Sequence, residues 1–146
     1  MSADPRTDRQ PGHQPDPQLV ERLRGALARH PEVRLALLFG SQARGAAGTG
    51  SDVDVAVEGA VDRMALAAEL GEASGSEVDV LDLREAGYPL LRALLRDGVV
   101  LREGERHAAA RFRTRAILET ETDRPWFERM RNAYLRRLAA RADGRP

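Results

Sequence analysis

The stretch "LLFGSQARGAAGTGSDVDVAV", Leu37–Val57, decides the reading of this chain. It sets two aspartates, Asp52 and Asp54, at alternate positions of a valine-rich run. Aspartate is depleted in strands and an unpaired buried carboxylate is costly, so something must compensate. Residues at i and i+2 of a strand share a face, which sets the two carboxylates side by side and turns Val53, Val55 and Val57 to the core. Adjacent carboxylates repel unless a cation lies between them or one keeps its proton. Oxygen donors without a nearby histidine or cysteine suit a hard ion, Mg²⁺ or Mn²⁺. Just upstream, "VRLALLFG" (Val33–Gly40) is an apolar run that stops at glycine, the pattern of a strand covered on both faces. Gly40 permits a tight turn, and "SQARG" predicts a short helical turn. Its free N–H groups, with the Ser41 hydroxyl, make an anion site suited to phosphate. Magnesium-holding carboxylates opposite a phosphate cradle are what two-metal phosphoryl or nucleotidyl transfer requires.

Outward from this centre, Asp16-Pro17 reads as a helix start, with Leu19, Val20, Leu23 and Leu27 on the apolar side. That helix ends near Arg29-His30-Pro31, with His30 facing solvent. "VDRMALAAELGEASG" predicts a helix with Met64, Leu66, Ala67 and Leu70 inward, and "EVDVLDL" (Glu77–Leu83) a third strand. A third carboxylate, Asp79, falls beside the Asp52–Asp54 pair if those strands are neighbours. Asp82 and Glu77 read as surface or capping residues. "YPLLRALLRDG" is a short helix, and "VVLREG" a last strand or extended segment. From Glu105 to Arg141 the pattern is helical. Pro125 predicts a break, and so two helices joined at Thr122-Asp123. Phe112, Ala116 and Ile117 form a stripe on the first, and Phe127, Met130, Tyr134 and Leu138 on the second. Tyr88 and Trp126 read as packing residues. The fold class is α/β, a small mixed sheet flanked by helices with a C-terminal helical extension. Its expected divisions are a disordered leader (1–16), a catalytic domain (17–104) and C-terminal helices (105–142) that pack on the domain or on a partner.

Composition sets outer limits. The 146 residues are 42% hydrophobic but only 4% aromatic, so the core is aliphatic. The 23 basic residues, all arginine, balance 23 acidic ones, which argues against general phosphate-driven binding to nucleic acid. Without cysteine there are neither disulfides nor thiolate metal sites. No apolar run spans a bilayer and no signal peptide is evident, so a soluble, cytoplasmic protein is expected. The loop "GAAGTG" (Gly45–Gly50) reads equally as a connector or as a flap over phosphates. The arginine-rich C-terminal run is a solvated face or a partner-docking surface more readily than an RNA site.

Gly40-Ser41, ten intervening residues and Asp52-x-Asp54 resemble the signature of the polymerase-β-type nucleotidyltransferase superfamily. With "VDVLDL" downstream, the chain is similar to its minimal members, the MNT-type antitoxins of HEPN ribonuclease toxins. The resemblance implies a polymerase-β-like fold and ATP as substrate. Gly40 and Ser41 would hold the triphosphate, with Arg44 and Ser51 as further nucleotide contacts. Asp52, Asp54 and Asp79 would be the catalytic and metal-binding residues, holding two Mg²⁺ (or Mn²⁺) ions. The implied reaction is transfer of AMP to a tyrosine hydroxyl of the HEPN toxin, with which a hetero-oligomer is expected. Two alternatives remain at this level: an antitoxin that only binds and blocks the toxin, or a nucleotidyltransferase acting on a small molecule such as an aminoglycoside.

Overall fold

The computed structural model describes residues 14–45 and 52–144, so most of the expected leader, most of the glycine-rich loop and Ser51 lie outside the described residues. Asp16 accepts a hydrogen bond from the Gln18 N–H at 3.0 Å and so caps α1 (Pro17–Leu27), with proline at the helix start as expected. There follow β1 (Val33–Phe39), the single turn α2 (Gly40–Ala43), β2 (Val53–Gly59), α3 (Arg63–Ser74) and β3 (Val78–Asp82). A 3₁₀ turn (Leu83–Glu85), α4 (Tyr88–Asp97), β4 (Val99–Glu103) and α5 (Ala108–Ala142) complete the order.

Among the described residues the strands form one mixed sheet in the order β3-β2-β1-β4. β1 runs antiparallel to both its neighbours, whereas β2 and β3 are parallel and joined through α3. Parallel neighbours require such a crossover. β1 is covered on both faces, which explains its nearly unbroken apolar sequence. On one face Val53, Val55 and Val57 pack with Leu38 against Leu23 and Leu27 of α1 and Leu66 and Leu70 of α3. On the other, Leu35, Leu37, Phe39 and Ala56 meet Leu91 and Leu94 of α4 and Phe112 and Ala116 of α5. The mixed sheet with flanking helices is the architecture expected.

Several local expectations are corrected. Met64 is 85% exposed, because it lies about 160° round the helix from Leu66 and about 120° from Leu70, which carry the buried face. Ile117 is 47% exposed, one position round the helix from the buried Ala116. His30 does not simply face solvent: its ring nitrogens lie 2.9 Å from Glu32 and 2.7 Å from Glu69 of α3, and its side chain is 17% exposed. The break at Pro125 is absent, and α5 is a single helix of 35 residues with the proline inside. An interior proline removes one ladder hydrogen bond and crowds a carbonyl, at a cost of about 3 kcal/mol. Tertiary contact opposes that local cost. Phe127 stacks on Tyr88 of α4 with ring centroids 4.5 Å apart, and Trp126 meets Phe127 edge-on at 4.8 Å. Arg124 also donates to Glu121 across the same turn at 2.6 Å.

Candidate active site

The site is built where β1 ends and β2 begins. In the antiparallel register Phe39 faces Asp54, and in the parallel register Asp54 is level with Asp79 on β3. Strand alternation puts Val53 and Val55 in the core beneath α1 and α3, so Asp54 belongs to the opposite face, with Ala56. Residues level with one another in a parallel pair share a face, so Asp79 joins Asp54 there. Asp52 lies one residue before β2 and two before Asp54, exposed at the mouth of the site.

Gly40 closes the arrangement from above. Its φ is +77°, a left-handed conformation that side-chain-bearing residues rarely adopt. A Cβ added there would lie 2.6 Å from Oδ2 of Asp54. Glycine is therefore required twice, for the turn and for the approach of backbone to carboxylate. Ser41 lies in the turn α2, half-buried, and no side chain caps the start of that turn.

Electrostatics record the crowding. Burial, then the charges of Asp79 and Asp52, hold the Asp54 carboxyl above the usual carboxylate range. Asp82 shows the contrast. It caps the 3₁₀ turn by accepting from the Arg84 N–H at 2.9 Å, and its pairing with the Arg84 guanidinium lowers its pKa. One strand thus carries an aspartate spent on structure and another, Asp79, left facing a second carboxylate. That contrast makes Asp79, with Asp54, the candidate functional pair of this sheet face.

Residues 21–107 match the family described as Polymerase beta, Nucleotidyltransferase. The chain belongs to this family. Over 73 residues it is 37% identical to the protein adenylyltransferase MntA of Shewanella oneidensis, an alignment covering 47% of this chain. That alignment spans 52% of the relative, so the chain matches about half the length of this curated protein. Among solved structures it is similar to a chain of a toxin–antitoxin complex with AMP-PNP, with TM-score 0.63 and 28% identity over 83% of this chain and 98% of that one. It is also similar to a chain from the complex of a tri-AMPylated Shewanella oneidensis HEPN toxin with its MNT antitoxin, with TM-score 0.58 and 26% identity over 84% and 97%.

For a polymerase-β nucleotidyltransferase the donor set is chemically suitable. Three carboxylates with no nitrogen or sulfur donor beside them fit Mg²⁺ or Mn²⁺, and the Asp54 carboxyl, raised first by burial and then by the charges of Asp79 and Asp52, is one that a cation would relieve. Among the described residues no three His, Cys, Asp or Glu side chains form a ready-made cage. Mg²⁺ does not require one, since it is commonly bound by one or two carboxylates together with water and substrate phosphates.

The remaining sequence candidates divide. Arg44 follows α2 as expected, but its guanidinium lies 3.8 Å from Asp97 at the end of α4, which Arg96 also contacts at 2.8 Å. Asp97 was missed in the sequence, where it reads only as the last residue before a helix-ending glycine. No local signal announces a contact made across the fold. Ser51 lies outside the described residues. No helix among the described residues is long and apolar enough to cross a membrane.

Proposed function

We propose that this chain is a protein adenylyltransferase that moves AMP from ATP to a tyrosine of a cognate HEPN-type toxin and thereby acts as its antitoxin. The observation carrying the proposal is the level pairing of Asp54 with Asp79 under the Gly40 turn, in a chain similar to members of AMPylating toxin–antitoxin complexes. Gly40 and Ser41 hold the triphosphate through backbone N–H groups, and Arg44 and Ser51 add nucleotide contacts. Asp52, Asp54 and Asp79 hold two Mg²⁺ ions, which when bound neutralise the phosphates and lower the pKa of the attacking hydroxyl. Asp79 sits on the edge strand, where an acceptor hydroxyl can approach, and it assists removal of the hydroxyl proton. The acceptor oxygen bonds to the α-phosphorus, the bond from that phosphorus to the β-phosphate oxygen breaks, and pyrophosphate leaves. The protein's contribution is positioning and charge stabilisation. An ATP-dependent reaction of this kind fits a cytoplasmic protein.

The test combines the full chain, a cognate HEPN-type toxin, Mg²⁺ and ATP labelled at the α-phosphate. Label is expected on a toxin tyrosine, and lost with EDTA or in the Asp52→Ala/Asp54→Ala double variant. No label under conditions where the two proteins bind would overturn the proposal. A double variant that still neutralises the toxin fully would favour simple steric blocking.

A further inference from the structure

α5 is two different surfaces on one helix. Its first half buries Ala108, Phe112, Ala116 and Thr120 against the sheet and α4. Eighteen residues are five full turns at about 100° per residue, so Trp126, Met130, Tyr134 and Leu138 repeat those azimuths. The core-facing stripe therefore continues along the helix with larger side chains but with nothing against it. These four are 52%, 53%, 59% and 41% exposed. From Glu121 to Gly144 every residue is exposed except the half-buried Phe127 and Ala133. After the Tyr88–Phe127 stack, the last fifteen residues of the helix extend roughly 22 Å without support.

A solvated helix would not place Trp, Met, Tyr and Leu in register on one side, and an apolar stripe of this kind is read by a groove. Its charge narrows the occupant. Residues 126–144 carry five arginines against two acids, Glu128 and Asp143. At the same helical period Arg129 and Arg136 lie to one side of the stripe and Arg131 to the other, while Arg137 and Arg141 fall within its azimuths towards the end of the helix. Pairing with a second copy would set these arginine rims against each other, and RNA would leave Met130 and Leu138 facing phosphates. Carboxylate-rimmed apolar grooves fit both features. The stripe also lies on the sheet face that carries Asp54, since α4 and α5 cover that face.

We propose that the overhanging half of α5 is a docking arm for the acceptor protein, seating in an apolar groove bordered by acidic side chains. This rests on the reading of the chain as an adenylyltransferase acting on a protein. The experiment is calorimetric titration of the full chain, and of its Met130→Glu/Leu138→Glu variant, with the cognate HEPN-type toxin. AMP-PNP binding serves as the integrity control. Glutamate is a good helix former, so the substitutions act on the surface rather than on the helix. A rise in Kd of 100-fold or more, with AMP-PNP affinity unchanged, is expected. Toxin affinity within threefold of the wild type would overturn the docking arm while leaving AMP transfer standing. Loss of binding in the variant, with no transfer by the wild type, would uphold the arm and sink the enzymatic reading. A wild-type dimer that the variant converts to monomer, or wild-type protein binding only an RNA oligonucleotide, would overturn the arm in favour of those partners.

Discussion

Gly40→Ala isolates the backbone's part in the chemistry. The added Cβ starts 2.6 Å from Oδ2 of Asp54, whereas ordinary contact begins near 3.4 Å, so the carboxylate must withdraw by roughly 0.8 Å. Because the obstacle is the end of a side chain, it can swing aside and the fold survives. The stability loss then comes mainly from holding alanine at a φ of +77°, about 1–2 kcal/mol. A displacement of that size in a reacting site costs on the order of 10²-fold in rate. The assay is kcat/KM for transfer of labelled AMP to the toxin, alongside thermal unfolding of the same preparation. We expect activity to fall about a hundredfold, with a Tm lower by several degrees and the far-UV spectrum intact. A folded variant with kcat/KM within threefold of the wild type would show that Gly40 does not set the position of Asp54.

Gly25→Ala is the control: beyond its chain neighbours and its own helix backbone nothing lies within 4 Å of the new Cβ, and the site is in the last turn of α1, so stability should rise by about 0.5–1 kcal/mol with transfer unchanged. A denaturant midpoint at or below the wild type would contradict this. Asp54→Asn should stabilise the metal-free protein at pH 7, because the folded state holds that carboxyl's pKa above its unfolded value. The advantage should shrink as pH falls from the raised value towards the ordinary carboxylate range, where wild-type Asp54 takes up its proton. Tm measured against pH in EDTA tests this, and a variant less stable at every pH refutes it. Hydrogen bonds to Glu69, then Glu32, raise the pKa of His30, so its stabilisation is complete below about pH 6.5 and is lost as pH rises through the folded value. Urea midpoints between pH 5.5 and 8.5 should fall for the wild type and stay flatter for His30→Gln. Equal slopes would exclude the His30 cluster as the cause.

Much of the site was legible because its signals are local. A glycine at a strand end, a serine after it and alternating aspartates each state a backbone need or a shared face within a few residues. The alternation of Val53, Val55 and Val57 with Asp54 carries the same information whatever the strand pairs with. Asp79 was legible only conditionally, since nothing in "VDVLDL" says which strand lies beside it. The pairing of Arg44 with Asp97 and the seating of His30 between two glutamates left no trace in local pattern. Pro125 shows the limit from the other side. Its local penalty is real, yet Phe127 stacked on Tyr88 holds the helix that the proline disfavours.

By itself, then, the order of residues determined the elements as far as β4, the two-sided burial of β1 and the carboxylate face of β2. These depend on steric limits and side-chain period, both properties of neighbours along the chain. Only the tertiary structure decided that β3 runs parallel to β2 with Asp79 level with Asp54, and that α5 continues uncovered past the sheet. Those outcomes depend on which distant surfaces bury one another. That competition is settled by the summed packing of the whole chain rather than by any segment of it.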